Sequence, residues 1–327
     1  MKVVLADAGL SAHRAVLEAG LPPGTTTSWH GRVVEADLVA DLPDAEVLVC
    51  SRFTPAMAAA APGLRLLQAA GAGTDAYSWN DVPAGTTVAN VFGHGGSIAE
   101  HVVATLVAVR RELLVQDREL RTGRWHSPAH LDLPQRPTLR GAVVTFLGFG
   151  EIGQATWNLL RAFGCAGIAV TRSGSVDAAA HGLRRAAAVA GLRAALAESD
   201  VLVVSIPLSA STTGSVGAEE LRALGPRGYL VNVARGPVVA ERPLFEALRD
   251  GTIAGAALDV WYRYPAGDGR ALPSAEAFAS LPNVVMTPHT SGVTSETFRN
   301  RARAVAANIA RLAAGEPLEN VVRAGAR

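Results

Sequence analysis

The chain has 327 residues, with 30 Lys+Arg against 29 Asp+Glu and a formal net charge of +1. That length has room for two domains, and 49% hydrophobic against 18% charged residues excludes a disordered chain. The near-neutral balance excludes an electrostatic footprint for nucleic acid or an anionic membrane surface, and no apolar run reaches the roughly 18 residues of a membrane span.

Taken in order, Val3 to Ala6 reads as a first strand, its apolar stretch too short for a signal peptide. Ser11 suits the cap of a following helix. Glu46–Cys50 reads as the second strand, Arg65–Ala69 as the third and Thr86–Val91 as the fourth. A long amphipathic helix is expected from Ser97, with Glu100 completing a capping box, and running toward Arg121. The rhythm restarts after Gly141. Ala142–Leu147 has the continuous apolar character of a strand buried on both faces. Further strands fit Ile168–Thr171, Val201–Ile206, Gly228–Val233, Ala254–Leu258 and Val284–Thr287. Helices fit Glu151–Phe163, Gly191–Glu198, Ala218–Leu224 and Val239–Asp250. A last helix, near Ser295 to Ala314, has no strand partner in the second set, so its expected place is the first domain. The alternation of strand and helix predicts parallel βα units.

Cys50 and Cys165 lie in apolar stretches, which predicts buried thiols in a reducing cytosol and offers no metal-ligand spacing. Lys2 is the only lysine, which argues against a buried Schiff-base lysine.

The most informative segment is Gly148-Phe149-Gly150-Glu151-Ile152-Gly153, a G-x-G-x-x-G that follows a buried strand and opens a helix. The first glycine permits the turn, the second lets the backbone approach a pyrophosphate, and the third lets helix and strand pack closely. An acidic residue at the end of the next strand would hold an NAD ribose. Here that end reads Thr171-Arg172-Ser173. A missing carboxylate and a guanidinium together favour the 2′-phosphate of NADP(H), with NAD(H) still possible.

Several further segments carry a resemblance. They are Ala70-Gly71-Ala72-Gly73-Thr74-Asp75, Ala99-Glu100-His101, Ser205-Ile206-Pro207-Leu208, Val231-Asn232-Val233-Ala234-Arg235-Gly236, Ala257-Leu258-Asp259-Val260-Trp261 and Pro288-His289-Thr290-Ser291-Gly292. In this order, with the glycine loop, the chain resembles the D-isomer-specific 2-hydroxyacid dehydrogenase family from Ser51-Arg52 over nearly all its remaining length. The resemblance implies an α/β fold of two Rossmann/flavodoxin-like doubly wound parallel-sheet domains. A discontinuous substrate domain (1–98 and 290–327) would hold an inserted dinucleotide-binding domain (99–289). The active site would lie between them.

Carried over residue by residue, Arg235 would hold the substrate carboxylate and oxo group, since a planar guanidinium donates two parallel hydrogen bonds. His289 would exchange the proton of the carbonyl oxygen. The backbone amides of Ala72 and Gly73 would receive the carboxylate. Arg52 matches a position that in some members reaches an acidic substrate group; otherwise it is a surface arginine. Asp259 would lie near the nicotinamide carboxamide and Pro207 on the adenosine side. Val233, Gly292, the 148–153 loop and Thr171, Arg172 and Ser173 complete the expected cofactor contacts. Glu100 and His101 read as structural.

One position departs from the family. A glutamate that hydrogen-bonds the catalytic histidine normally stands just before a proline past the Asp-Val-aromatic motif. Here Tyr264 precedes Pro265. A phenol can orient an imidazole but brings no negative charge at neutral pH. Formate dehydrogenases of the same superfamily also lack the glutamate, but they place an asparagine where this chain has His94. His94 faces substrate or is an ordinary loop residue. Trp261 and Tyr262 read as packing residues or as an aromatic wall beside the site. The expectation is a cytoplasmic homodimer that moves a hydride between NAD(P)H and a 2-oxo or D-2-hydroxy acid. The alternatives are a formate-type dehydrogenase and a dinucleotide-sensing binding protein of corepressor type.

Overall fold

A computed structural model of the chain describes residues 1–31, 34–125, 135–266 and 269–326. The chain divides into two compact units, Met1–Gly93 with Val293–Arg327, and His94–Gly292. Residues 94–98 and 290–292, assigned by resemblance to the substrate domain, belong to the second unit.

The first unit begins with β1 (Lys2–Ala6), β2 (Thr26–Trp29), β3 (Val47–Cys50), β4 (Leu66–Ala69) and β5 (Thr87–Ala89). The second contains β6 (Val143–Leu147), β7 (Ala166–Thr171), β8 (Arg185–Ala188), β9 (Val201–Val204), β10 (Tyr229–Asn232), β11 (Gly255–Leu258) and β12 (Val284–Met286), and β13 (Val321–Arg323) returns to the first. The strand orders are β13-β5-β4-β3-β1-β2 and β12-β11-β10-β9-β6-β7-β8. Pairing is parallel throughout except β13, which runs antiparallel to β5. These are the two doubly wound orders, flavodoxin-like and Rossmann-like, that bind ligands beyond the carboxyl ends of their strands.

The central strands of both sheets are buried on both faces, as their continuous apolar runs require. In β1, Val3 and Leu5 join one core layer and Val4 and Ala6 the other. In β9, Val201 and Val203 face one layer, Leu202 and Val204 the opposite one. The helix Ser295–Ala314 buries Ala302, Val305, Ala306 and Ile309 against Val3, Leu5, Leu10 and Leu17 of the first unit. Asn308 Nδ2 donates to Gln68 Oε1 in that core at 2.9 Å. Within the second unit, the Trp157 indole N–H donates to the His181 carbonyl (2.7 Å), and its ring meets Phe146 edge-on.

Some local expectations are corrected. Asp7, not Ser11, caps the first helix: its carboxylate accepts from the Leu10 N–H at 3.0 Å, and Ser11 ends that helix. The long helix begins at Gly95, so Ser97 lies inside its first turn and the N-cap position falls to His94. The Gly95 N–H is met instead by the Glu151 carboxylate at 3.1 Å, a tertiary partner doing what a local cap would do. The same helix stops at Arg110. Glu112 takes φ 52°, and a second helix runs Leu113–Arg121. β2 and β8 were not anticipated, so Glu46–Cys50 holds the third strand of the chain. Cys50 is buried, but Cys165 only partly so.

Candidate active site

The glycine turn connects β6 to the helix Glu151–Leu160. Gly148 takes φ 95°, and a Cβ there would stand 2.8 Å from Ile206 Cγ2 and 2.9 Å from the Ser205 carbonyl. A Cβ on Gly153 would approach the Gly148 carbonyl to 2.6 Å. A Cβ on Gly150 would meet nothing within 4 Å, and Gly150 precedes the helix with no side chain capping it. Space over the middle glycine and an uncapped helix N-terminus fit a pyrophosphate. The Phe149 ring faces inward against Phe146, and Ile152 is partly buried.

At the end of β7, Thr171 Oγ1 accepts the Gly174 N–H at 3.1 Å and so shapes the turn. Ser173 Oγ pairs with Ser175 Oγ at 2.7 Å. Arg172 is exposed and makes no ion pair among the described residues. No acidic residue stands at positions 171–175. Pro207 follows β9, with its carbonyl accepting from Thr212 Oγ1. Val233 is buried.

Arg235, Asp259 and His289 follow β10, β11 and β12, three adjacent strands, so topology gathers them at one end of the sheet. Arg235 is half-buried. Asn232 at the end of β10 shapes its turn, with Oδ1 accepting the Ala234 N–H and Nδ2 donating to the Arg235 carbonyl, both at 3.1 Å. His289 is exposed and holds φ 60°, a left-handed conformation that costs a non-glycine residue free energy. The Tyr264 hydroxyl lies 3.0 Å from His289 Nδ1, and the Trp261 N–H donates to the same oxygen at 3.2 Å. The tyrosine hydroxyl thus meets one nitrogen of the imidazole and is itself held by the backbone before it.

Asp259 is almost fully buried. Its Oδ1 accepts from the Thr287 hydroxyl (2.6 Å) and the Thr290 N–H (2.9 Å), and Oδ2 from the Ser291 N–H (2.9 Å). Burial alone would raise its pKa, but hydrogen bonds from Ser291, Thr287 and Thr290 outweigh it and hold the carboxyl below the ordinary carboxylate range. These bonds brace the turn that carries His289. His101 joins the brace, with Nε2 3.2 Å from Thr287 Oγ1. His94 is buried, and its Cβ lies 3.7 Å from where a Cβ on Gly292 would stand.

A test follows from the brace. A lowered folded pKa contributes stability above the unfolded carboxylate value, and that stability is lost as pH falls through the folded value. Asp259→Asn should cost about 1.5–3 kcal/mol at pH 7, the scale of a lost charged hydrogen bond. The deficit against the parent should shrink as pH drops below about 4. Denaturant unfolding across pH 3–7 reads both effects.

In the first unit, the loop Ala70–Asp75 leaves the end of β4. Asn90 Nδ2 donates to the Ala72 carbonyl (2.8 Å), and the Val91 N–H to the Gly71 carbonyl (3.2 Å). The N–H groups of Gly71, Ala72, Gly73 and Thr74 make no hydrogen bond among the described residues. Successive uncommitted amides form a concavity suited to an anion. Arg52 lines a recess of about 600 Å³ with Glu35, Thr54, Asp75 and Tyr77. Arg301 reaches the Ala70–Asp75 loop. Its guanidinium atoms lie 3.6–3.7 Å from where a Cβ on Gly71 would stand, and its Cζ 5.3 Å from the Phe298 ring centroid. Thr297, Val305 and Ile309, spaced by four, are all buried, and Arg301 falls in that line. Among the described residues no cluster of three or more His, Cys, Asp or Glu could hold a metal ion, and no helix is long and apolar enough to cross a membrane.

A doubly wound sheet with an open glycine turn at the end of its first strand defines the class: an α/β protein with a dinucleotide-binding fold. The model of the D-isomer specific 2-hydroxyacid dehydrogenase NAD-binding domain matches residues 103–291. A glycerate dehydrogenase from Methylorubrum extorquens is 31% identical over 271 residues, covering 80% of each chain. A D-isomer specific 2-hydroxyacid dehydrogenase family protein from Aeromonas salmonicida superposes with TM-score 0.83 at 25% identity over 98% of both chains. An NADPH-dependent glyoxylate/hydroxypyruvate reductase from Sinorhizobium meliloti, in complex with NADP and malonate, gives TM-score 0.78 at 28% identity over 98% of this chain and 96% of that one. The chain belongs to the D-isomer specific 2-hydroxyacid dehydrogenase family.

Proposed function

We propose that the protein reduces a small 2-oxo acid to the D-2-hydroxy acid with NADPH as the preferred reductant. The observation that carries this reading is the placement of Arg235 and His289 at the ends of β10 and β12, with the open glycine turn at the end of β6 in the same sheet. The bound nicotinamide supplies the hydride, and the protein supplies orientation and charge. Arg235 holds the carboxylate and oxo group of the substrate. The amides of Ala72 and Gly73 receive the carboxylate. His289 gives its Nε2 proton to the carbonyl oxygen as C2 becomes tetrahedral, while Tyr264 engages Nδ1 and orients the ring. Loss of NADPH absorbance with glyoxylate, hydroxypyruvate, pyruvate and longer 2-oxo acids tests it. Cofactor binding without oxidation by any of them would favour a dinucleotide sensor.

The preference for NADPH is supported by Arg172 and the absent acid at the end of β7. Arg172→Ala should weaken NADPH binding by about 10- to 150-fold, the scale of a charge-assisted contact, and leave NADH nearly unaffected. Fluorescence titration of both cofactors measures this. Equal affinities in the parent protein would remove the basis for the preference.

We further propose a cytoplasmic homodimer formed through the dinucleotide-binding unit. Support comes from apolar side chains exposed along and after the helix Leu113–Arg121: Leu114 at 55%, Leu120 at 50% and Trp125 at 70%. Large apolar side chains exposed so close together in the chain are candidates for burial in an interface.

A further inference from the structure

We propose that Trp261 is a positioning residue that holds the turns of Arg235 and His289 in one register. It rests on the reaction proposed above, in which those two residues hold the substrate and give the proton. Trp261 lies in the segment leaving β11, the strand between β10 and β12 in the sheet. It is buried, and its ring meets Phe278 edge-on with centroids 6.0 Å apart.

Three contacts go beyond that packing. The indole N–H donates to the Thr287 carbonyl at 2.8 Å, two residues before His289. The Trp261 backbone N–H donates to the Tyr264 hydroxyl at 3.2 Å, and that hydroxyl lies 3.0 Å from His289 Nδ1. The Trp261 carbonyl lies against the residue after Arg235: a Cβ on Gly236 would stand 2.3 Å from its oxygen and 2.4 Å from its carbon. Only a residue without a side chain lets two backbones approach so closely. Indole, N–H and carbonyl of one residue thus each hold a different part of the site. His289 takes φ 60°, a conformation that persists in a non-glycine residue where its surroundings impose it. Trp261 supplies two of the ties that do so, one to the turn and one to the partner of the imidazole.

The test is NMR of the full chain, with isotope-labelled histidine rings and saturating NADP⁺. The His289 resonance is identified by its loss in His289→Asn. Trp261→Phe keeps an aromatic ring beside Phe278 but removes the indole donor, and Gly236→Ala pushes the Trp261 carbonyl from the side of Arg235. Both should move the His289 resonance, the second from a position on another strand's turn. With a 2-oxo acid, kcat should fall about 5- to 50-fold in Trp261→Phe, because rate is lost steeply when reacting groups are misplaced, while the NADPH Kd stays within about twofold. Leu221→Ala, in the same core on the helix Ala218–Leu224, is the stability control. It should lower the thermal midpoint and leave resonance and kcat as they are. Benzothienylalanine at position 261 has sulfur in place of the indole N–H at nearly constant shape, and it decides the matter if Trp261→Phe does not fold. An unmoved resonance, or kcat within about twofold of the parent, in a folded protein lacking the donor overturns the assignment. So does a Leu221→Ala protein that reproduces both changes, which would make Trp261 an ordinary core residue. Failure of the proposed function looks different: no 2-oxo acid oxidises NADPH, while the His289 resonance still reads the ties to Trp261.

Discussion

Arg235→Lys should lower kcat/KM on the best 2-oxo acid by about 100- to 1,000-fold while leaving NADPH affinity within about twofold. The size follows from losing a two-pronged contact to a reacting carboxylate and oxo group, at about 1.5–3 kcal/mol for each charge-assisted bond. Lysine keeps the positive charge but offers a compact ammonium on a flexible stem. The turn beneath should survive the change: the guanidinium contributes one bond to it, Nη1 to the Ala234 carbonyl at 2.8 Å, while Asn232 holds it through the backbone of Ala234 and Arg235. Cofactor affinity should survive too, since the glycine turn follows β6, separated in the sheet from β10 by β9. Steady-state kinetics with a cofactor titration on the same preparation decides it. Activity retained within a few-fold would mean that Arg235 is not the anchor.

The second large effect concerns His289. His289→Asn should cost about 100- to 10,000-fold in reductive turnover, the range for removing a general acid, and should abolish the pH limb described next. In reduction the imidazole must carry the proton that it gives. Its Nδ1 faces a phenol rather than a carboxylate, so no negative charge from Tyr264 stabilises the imidazolium. Reductive kcat/KM should therefore fall as pH rises and the imidazole loses the proton that it gives. Tyr264→Glu should move the fall to higher pH, because an adjacent carboxylate favours the charged form. Tyr264 is 51% exposed, so the substitution need not bury the new carboxylate. The profile is to be taken with chemistry shown to limit the rate. A Tyr264→Glu profile that coincides with the parent's would mean that residue 264 does not act on the imidazole that gives the proton.

Much of this site could be read from the sequence because its residues follow strands with strong signals. Apolar runs at 143–147 and 201–204 locate the centre of the second sheet, and the glycine spacing places the turn after β6. The helix Ser295–Ala314 was legible from its amphipathic period, and its membership of the first unit from its lack of a strand partner. The misses have physical causes. β2 reads Thr-Thr-Ser-Trp, exposed or half-buried along its length and paired on one side only, so it has no apolar run. β8 reads Arg-Ala-Ala-Ala, a composition that favours helix, and tertiary pairing with β7 overrides it. The start of the Gly95 helix depended on Glu151, distant in sequence, so a local capping rule chose Ser97 instead. Asp259 was read as a nicotinamide contact from resemblance. Its hydrogen bonds to Thr287, Thr290 and Ser291 required knowing how the 287–291 turn folds back.

Hydride transfer to C2 of a 2-oxo acid is the central claim, and isotopic labelling reads it most directly. NADPH carrying deuterium at the transferable C4 position should be incubated with the best substrate of the panel, and the product examined by NMR and chiral chromatography. The expected product is the D-2-hydroxy acid with one deuterium at C2 and oxidised cofactor in equal amount. An L product, deuterium absent from C2, or cofactor that binds and stays reduced with every 2-oxo acid would contradict it.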